Sequence, residues 1–158
     1  MAFTGLRKGE ALGLKWEDID FKEKTLTVER TRDEYSARPP KTKNSFRMIL
    51  IDEVLIEKLK TYRAWCKKTL LKMGKHLADD DFVLISSQTG EPISNYILRG
   101  KFERIIVRAG CKPITIHVLR HTHATILISQ RIPVKVIADR LGNTPEMILN
   151  IYGLSFKN

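Results

Sequence analysis

TIHVLRHTHATILISQRIPVKVIADRLGNTPEMILNIY, residues Thr115 to Tyr152, carries the strongest structural signals in the chain. Val118, Leu119, Ala124, Ile126 and Leu127 supply a broad apolar surface if the segment is helical, and Thr115 stands where it can cap that helix. His117 and Arg120 are three residues apart, so a helix puts both on one face. Pro133 near a first turn and Gly142 just past a last one predict a second helix. Thr144-Pro145-Glu146 reads as cap, first helical position and first-turn acid of a third, which carries Tyr152 at its far end. Three short helices thus gather a histidine, an arginine and a tyrosine.

Upstream of these helices, Asp52 caps a long predicted helix that ends near Gly74. Val54, Leu55, Leu59, Tyr62, Cys66, Leu70 and Met73 mark its core face, and lysines dominate the other. Ser94 opens a further helix closed by Gly110, apolar at Tyr96, Ile97, Phe102, Ile105 and Ile106, and a short helix runs from Thr4 to about Leu14. Alternation and β-branched residues predict strands over Thr25–Arg30 and Phe46–Ile51. Phe82–Ser86 reads as a short buried strand, and Trp16–Phe21 as a turn. The expected fold is α+β, mainly α, with one small antiparallel three-stranded sheet.

The chain of 158 residues fits one domain, and 42% hydrophobic with 29% charged residues is ordinary globular chemistry. Its charge is not ordinary: 28 Lys and Arg against 18 Asp and Glu give +10, which points to phosphate-bearing partners or to a merely basic surface. Cys66 and Cys111 are too few for a disulfide framework or a zinc site, which fits a reducing cytoplasm. No stretch approaches the roughly 20 apolar residues of a membrane span, and no signal peptide precedes Thr4. Met1-Ala2-Phe3 running straight into Thr4 reads as the start of a truncated domain.

Two local features admit both a functional and a plain reading. Glu10 lies three residues after Arg7 and can hold its guanidinium for an anion; locally, a surface ion pair explains it better. Arg38-Pro39-Pro40-Lys41-Thr42-Lys43-Asn44-Ser45 is a basic hairpin tip. A lysine there can reach a phosphate or simply discourage edge pairing.

Taken together, these segments resemble the catalytic domain of the tyrosine recombinases, the phage-type integrase family, over nearly the whole chain. Thr4-Gly5-Leu6-Arg7 with Glu10 is similar to the family's first arginine segment. Pro40-Lys41-Thr42 with Arg47 downstream is similar to its hairpin-lysine segment, with Lys43 in reserve. His117-Val118-Leu119-Arg120-His121-Thr122 is similar to its His-x-Leu-Arg-His box, and Tyr152 falls at the nucleophile. The resemblance implies catalytic roles for Arg7, Lys41, His117, Arg120, Asn143 and Tyr152, and supporting ones for Glu10, Lys43 and His121. Asn143 stands where the family usually has His or Trp, and Leu154 replaces another common His. An asparagine there can hydrogen-bond a phosphate oxygen or the tyrosine but cannot shuttle protons.

The chemistry implied by the resemblance is metal-free phosphoryl transfer on double-stranded DNA with no cofactor, His117 assisting Tyr152, and a 3′-phosphotyrosyl intermediate. It also implies upstream DNA-binding domains absent from residues 1–158, and a tetramer on DNA for the full-length protein, the isolated domain being monomeric. Two rivals remain. Ile132–Tyr152 also reads as a helix-turn-helix of a non-enzymatic regulator, and Asn143 fits an integrase-like protein that binds DNA without cleaving it.

Overall fold

The structure is a computed structural model that describes residues 1–34, 36–39 and 45–153. Leu26 and Val28 turn inward from β2 (Thr25–Val28), and Ile49 does so from β5 (Arg47–Leu50). These strands pair antiparallel with Leu26 opposite Ile49, and the alternation of apolar and polar residues sets that register. The third strand is β1 (Ile19–Asp20), so the sheet order is β1-β2-β5. The sequence reading placed residues 19 and 20 in a turn. The turn comes just after them instead: Asp20 Oδ1 accepts the Lys22 and Glu23 N–H groups at 2.8 Å, which folds β1 back onto β2.

The strand expected over Phe82–Ser86 does not join the sheet. Val83 and Ile85 are buried as expected, but only single bridges form, Phe82 with Lys15 and Ile85 with Pro92. The neighbouring chain bends into a 3-10 turn at Trp16–Asp18, so no ladder can extend along it. A separate two-stranded piece, β3 (Thr31–Arg32) with β4 (Ala37–Arg38), lies between β2 and β5 in sequence and packs on α1 (Lys8–Leu12).

Among the helices, α2 (Glu53–Leu71) starts as expected, with Asp52 Oδ1 accepting the Leu55 N–H at 2.7 Å. Its buried line is Ile56, Cys66 and Leu70, with Leu55, Leu59 and Tyr62 at the margin; Val54 faces solvent. Ser94 caps α3 (Asn95–Arg108), which buries none of its residues fully. Tyr96, Ile105 and Val107 are exposed on it. Thr115 takes the cap position of α4 (Ile116–Ser129) without a side-chain cap bond.

Pro133 precedes α5 (Val134–Leu141), and Gly142 ends it at φ 63°, the left-handed conformation that glycine adopts without strain. Thr144 Oγ1 accepts the Met147 N–H at 3.2 Å, capping α6 (Pro145–Tyr152). No helix among the described residues is long and apolar enough to cross a membrane.

Two apolar cores result. The larger is built on Trp16, Leu26, Val28, Ile49, Ile56 and Leu70; the smaller joins α4, α5 and α6 through Ala124, Ile128, Ile137, Ala138, Leu141 and Ile148. Ile56 is wholly buried in the larger one. Replacing Ile56 with Ala should cost about 2–5 kcal/mol in urea unfolding. A loss below about 1 kcal/mol would mean that this core does not carry the stability of the domain.

Candidate active site

Between the two cores runs a seam of arginines, Arg120 buried and Arg7 partly open to solvent. At the C-terminal end of α5, three successive carbonyls accept from three arginines of other elements. Arg47 Nε donates to Arg140 O at 2.7 Å, Arg120 Nη2 to Leu141 O at 2.7 Å, and Arg7 Nη2 to Gly142 O at 2.9 Å. Last-turn carbonyls lack helical partners and carry the negative end of the helix dipole, so cations suit them. Arg120 Nη1 also donates to Gly5 O at 2.6 Å.

Glu10 sits among these guanidiniums. Its carboxylate receives Arg7 Nη1 at 2.8 Å and both Nη atoms of Arg47, at 3.1 and 2.9 Å. The Arg47 and Glu10 side chains are only 6% and 4% exposed, so the plain surface-pair reading of Glu10 is wrong. Burial works to raise the Glu10 carboxyl, but Arg47 and Arg7 outweigh it and hold the group below its ordinary range. Burial, then the charge of Arg7, brings Arg120 down to about 10, which leaves it charged at neutral pH.

Asn143 comes next along the chain. Its Oδ1 accepts Arg7 Nη2 at 2.5 Å and Arg120 Nη2 at 3.3 Å. Tyr152 reaches back from the end of α6 to α4, where its hydroxyl lies 2.5 Å from His121 Nδ1. Burial pushes this hydroxyl above its ordinary pKa, against the pull of Arg120. The ring bonded to the tyrosine is therefore His121. His117 stands edge-on to His121, with ring centroids 4.6 Å apart, and lines a cleft of about 400 Å³ with Lys8, Arg99, Phe102 and Glu103. Burial, then the charge interactions with His121, Arg120 and Arg7, lower the His117 pKa.

The structure brings together Arg7, Glu10, His117, Arg120, His121, Asn143 and Tyr152. Lys41 and Lys43 lie outside the described residues. Sequence reasoning gave no job to Arg47, Gly5, His123 or Arg140. For Arg47 a signal existed: it shares the inward register of β5 with Ile49, and an arginine on a core face needs a buried partner. Gly5 has φ 68°, and an added Cβ would meet Leu141 Cδ2 at 2.5 Å and His123 Cδ2 at 2.8 Å. The close approach lets its carbonyl reach Arg120.

Known proteins match this chain throughout its length. The family model described as Phage integrase family matches residues 1–158, and the chain belongs to that family. It is similar to a tyrosine recombinase XerC-like protein of Caldanaerobacter subterraneus, 37% identical over 94% of this chain and 42% of the relative. The ICEBs1 integrase of Bacillus subtilis is 28% identical over 98% of this chain and 43% of its own length. Thus the chain spans about two fifths of the curated relatives it matches. Its fold matches the Tn1549 transposon integrase solved with transposon right end DNA, at TM-score 0.80 and 24% identity, over 96% of this chain and 51% of that one. It also matches XerA recombinase, at TM-score 0.72 and 23% identity, over 97% and 53%.

A second histidine pair yields an acid-stability prediction. His123 Nδ1 donates to Ala2 O at 2.9 Å, and its Nε2 accepts from Arg140 Nε at 3.0 Å, an arrangement open only to the neutral ring. Burial, then Arg140, lower the His123 pKa, and His117 is lowered too. The unfolded chain therefore takes up these protons first. Their contribution to stability is whole above about pH 6.5 and falls as the pH drops below it. Thermal midpoints should decline from pH 7 to 5, and less steeply for His123→Gln, whose amide oxygen can accept from Arg140 without titrating. Equal slopes would show that His123 carries no such linkage.

Proposed function

We propose that this chain is the catalytic domain of a recombinase that cuts and rejoins duplex DNA through Tyr152. What carries the reading is the convergence, at one seam, of two guanidiniums on a single acceptor point and of a tyrosine hydroxyl on an imidazole nitrogen. The first is suited to the non-bridging oxygens of a phosphodiester, the second to making a nucleophile.

Tyr152 gives its proton to His121 Nδ1, its oxygen forms a bond to the scissile phosphorus, and the bond to the 5′-oxygen breaks. The product is a 3′-phosphotyrosyl link and a free 5′-hydroxyl. Lys41 supplies the proton to the departing 5′-oxygen, a role drawn from the resemblance. Attack by another 5′-hydroxyl reverses the step on a second strand, so no external energy source is consumed. Arg7 and Arg120 hold the charge that develops on the equatorial oxygens. Glu10 pairs with Arg7 and Arg47 while Arg120 is bound to neutral acceptors, so three guanidiniums against one carboxylate leave the seam with net positive charge for that purpose.

His121 takes the proton-accepting role that the sequence reading gave to His117, because His121 is the ring against the hydroxyl. The surroundings of His117 lower its pKa, and the ring lines the cleft beside the site together with Lys8, a cation suited to a DNA phosphate. The substrate is double-stranded DNA at the attachment sites of a mobile element. Full-length protein works as a tetramer, the domain alone as a monomer. The regulator reading fares worse: α6 buries Ile148 and exposes Met147, Leu149 and Ile151, a poor surface for base edges.

The test is a nicked duplex bearing a candidate attachment site, incubated with full-length protein and run under denaturing conditions. A covalent protein–DNA band should form with wild type and vanish with Tyr152→Phe. His121→Gln should slow its formation by about a hundredfold or more at pH 7. A band that survives Tyr152→Phe removes the central assignment. Conversion of Asn143 to His should leave cleavage detectable in both forms; cleavage only after that change would favour the binding-only reading.

A further inference from the structure

The geometry points to Asn143 as an internal competitor for the anion site: its side-chain oxygen occupies, in the DNA-free protein, the place of a phosphate oxygen between Arg7 and Arg120. This rests on the reading that these two guanidiniums hold the scissile phosphate.

Both groups around the amide can only donate, so the atom they share is Oδ1 and not Nδ2. One N–H of each guanidinium is thereby occupied. The other acceptors of these arginines cannot leave. Gly5, Leu141 and Gly142 offer backbone carbonyls, and Glu10 is buried and tied to Arg47 as well. Asn143 Oδ1 alone among these named acceptors is shared by both arginines, and it is carried by a side chain of a half-buried residue and not by the backbone.

Its backbone is held from both sides. The Asn143 N–H donates to Ala138 O at 2.9 Å, closing the end of α5 around left-handed Gly142, and the next residue is already the cap of α6. Rotation about the side-chain bonds can therefore uncover both guanidiniums while α5, α6 and Tyr152 stay in place. Arg7 is 35% exposed on its side chain, so an anion can approach from solvent as the amide leaves. The consequence is selectivity. A lone phosphate must displace two charge-assisted hydrogen bonds, whereas a duplex brings further contacts to help. An imidazole at this position could not accept from both arginines in the same way, having at most one acceptor nitrogen.

The experiment tracks the arginine guanidinium ¹⁵N resonances of this chain as inorganic phosphate is added at low ionic strength. Asn143→Ala, which removes the competitor, should tighten phosphate binding by about threefold to tenfold. Asn143→Asp keeps the shape and adds a fixed negative acceptor; it should weaken binding on the order of tenfold or more. An Ala variant that unfolds at the wild-type temperature yet binds phosphate no tighter overturns the proposal. If the Ala variant does not fold, the Asp variant decides: binding as tight as wild type overturns it, weaker binding supports it. Because the readout needs no cleavage, the two readings fail separately. A Tyr152 adduct with no competition by Asn143 leaves the proposed function standing and removes this one. Competition without an adduct does the reverse.

Discussion

Three arginines converge on the C-terminal end of α5, and the packing of the other elements is arranged around that contact. The last carbonyls of the helix have no helical partners, and arginines from β5, α4 and the segment before α1 come to them in turn. Each arginine thereby ties a different element to the same helix end. Glu10 completes the arrangement by balancing part of their charge. Buried cations are tolerable only when nearly every donor finds an acceptor, so their positions are as tightly determined as those of any apolar core residue. The seam between the two cores is thus held by hydrogen bonds and ion pairs where the cores are held by apolar contact.

A cationic seam whose donors are held by fixed acceptors is also what phosphoryl transfer needs. Donors that are already aimed require no reorganisation as negative charge develops, which is the larger part of electrostatic catalysis. Under the proposed function, the same interactions that hold α4, α5 and the first segment together also present the anion site. That dual use explains why Gly5, with no chemistry of its own, matters as much as the charged residues: its missing Cβ allows the approach that gives Arg120 its acceptor from the start of the chain. Tyr152 is brought in by ordinary packing, since Ile148 on the same helix is buried against α4 and α5.

Much of this was legible in the chain. Helix starts at Asp52, Ser94 and Thr144 arise from side-chain oxygens that accept N–H groups three residues on, a purely local effect. Gly142 likewise announces its left-handed turn. The sheet was half legible: alternation identified β2 and β5, but β1 has two residues, too short for any periodicity. Phe82–Ser86 has the composition of a strand and lacks only a straight neighbour to pair with, which no local pattern can reveal. Arg7, Glu10, His117, Arg120, His121 and Tyr152 stood out through the motifs they share with integrases, and the family match bears out the family itself.

Caps, turns, apolar faces, charge and the motifs shared with integrases are set within a few residues, so the chain specifies them without reference to its fold. Tertiary structure alone decided which of those side chains meet. His121, not His117, lies against the tyrosine, because α6 returns to α4 at one particular turn. Glu10 is a buried hub because Arg47 arrives from a strand 37 positions away in sequence. Asn143 lies between two arginines because Arg7 and Arg120 approach the end of α5 from widely separated parts of the chain. Contacts of that span arise from packing two cores against each other, and packing leaves no periodic mark on a sequence.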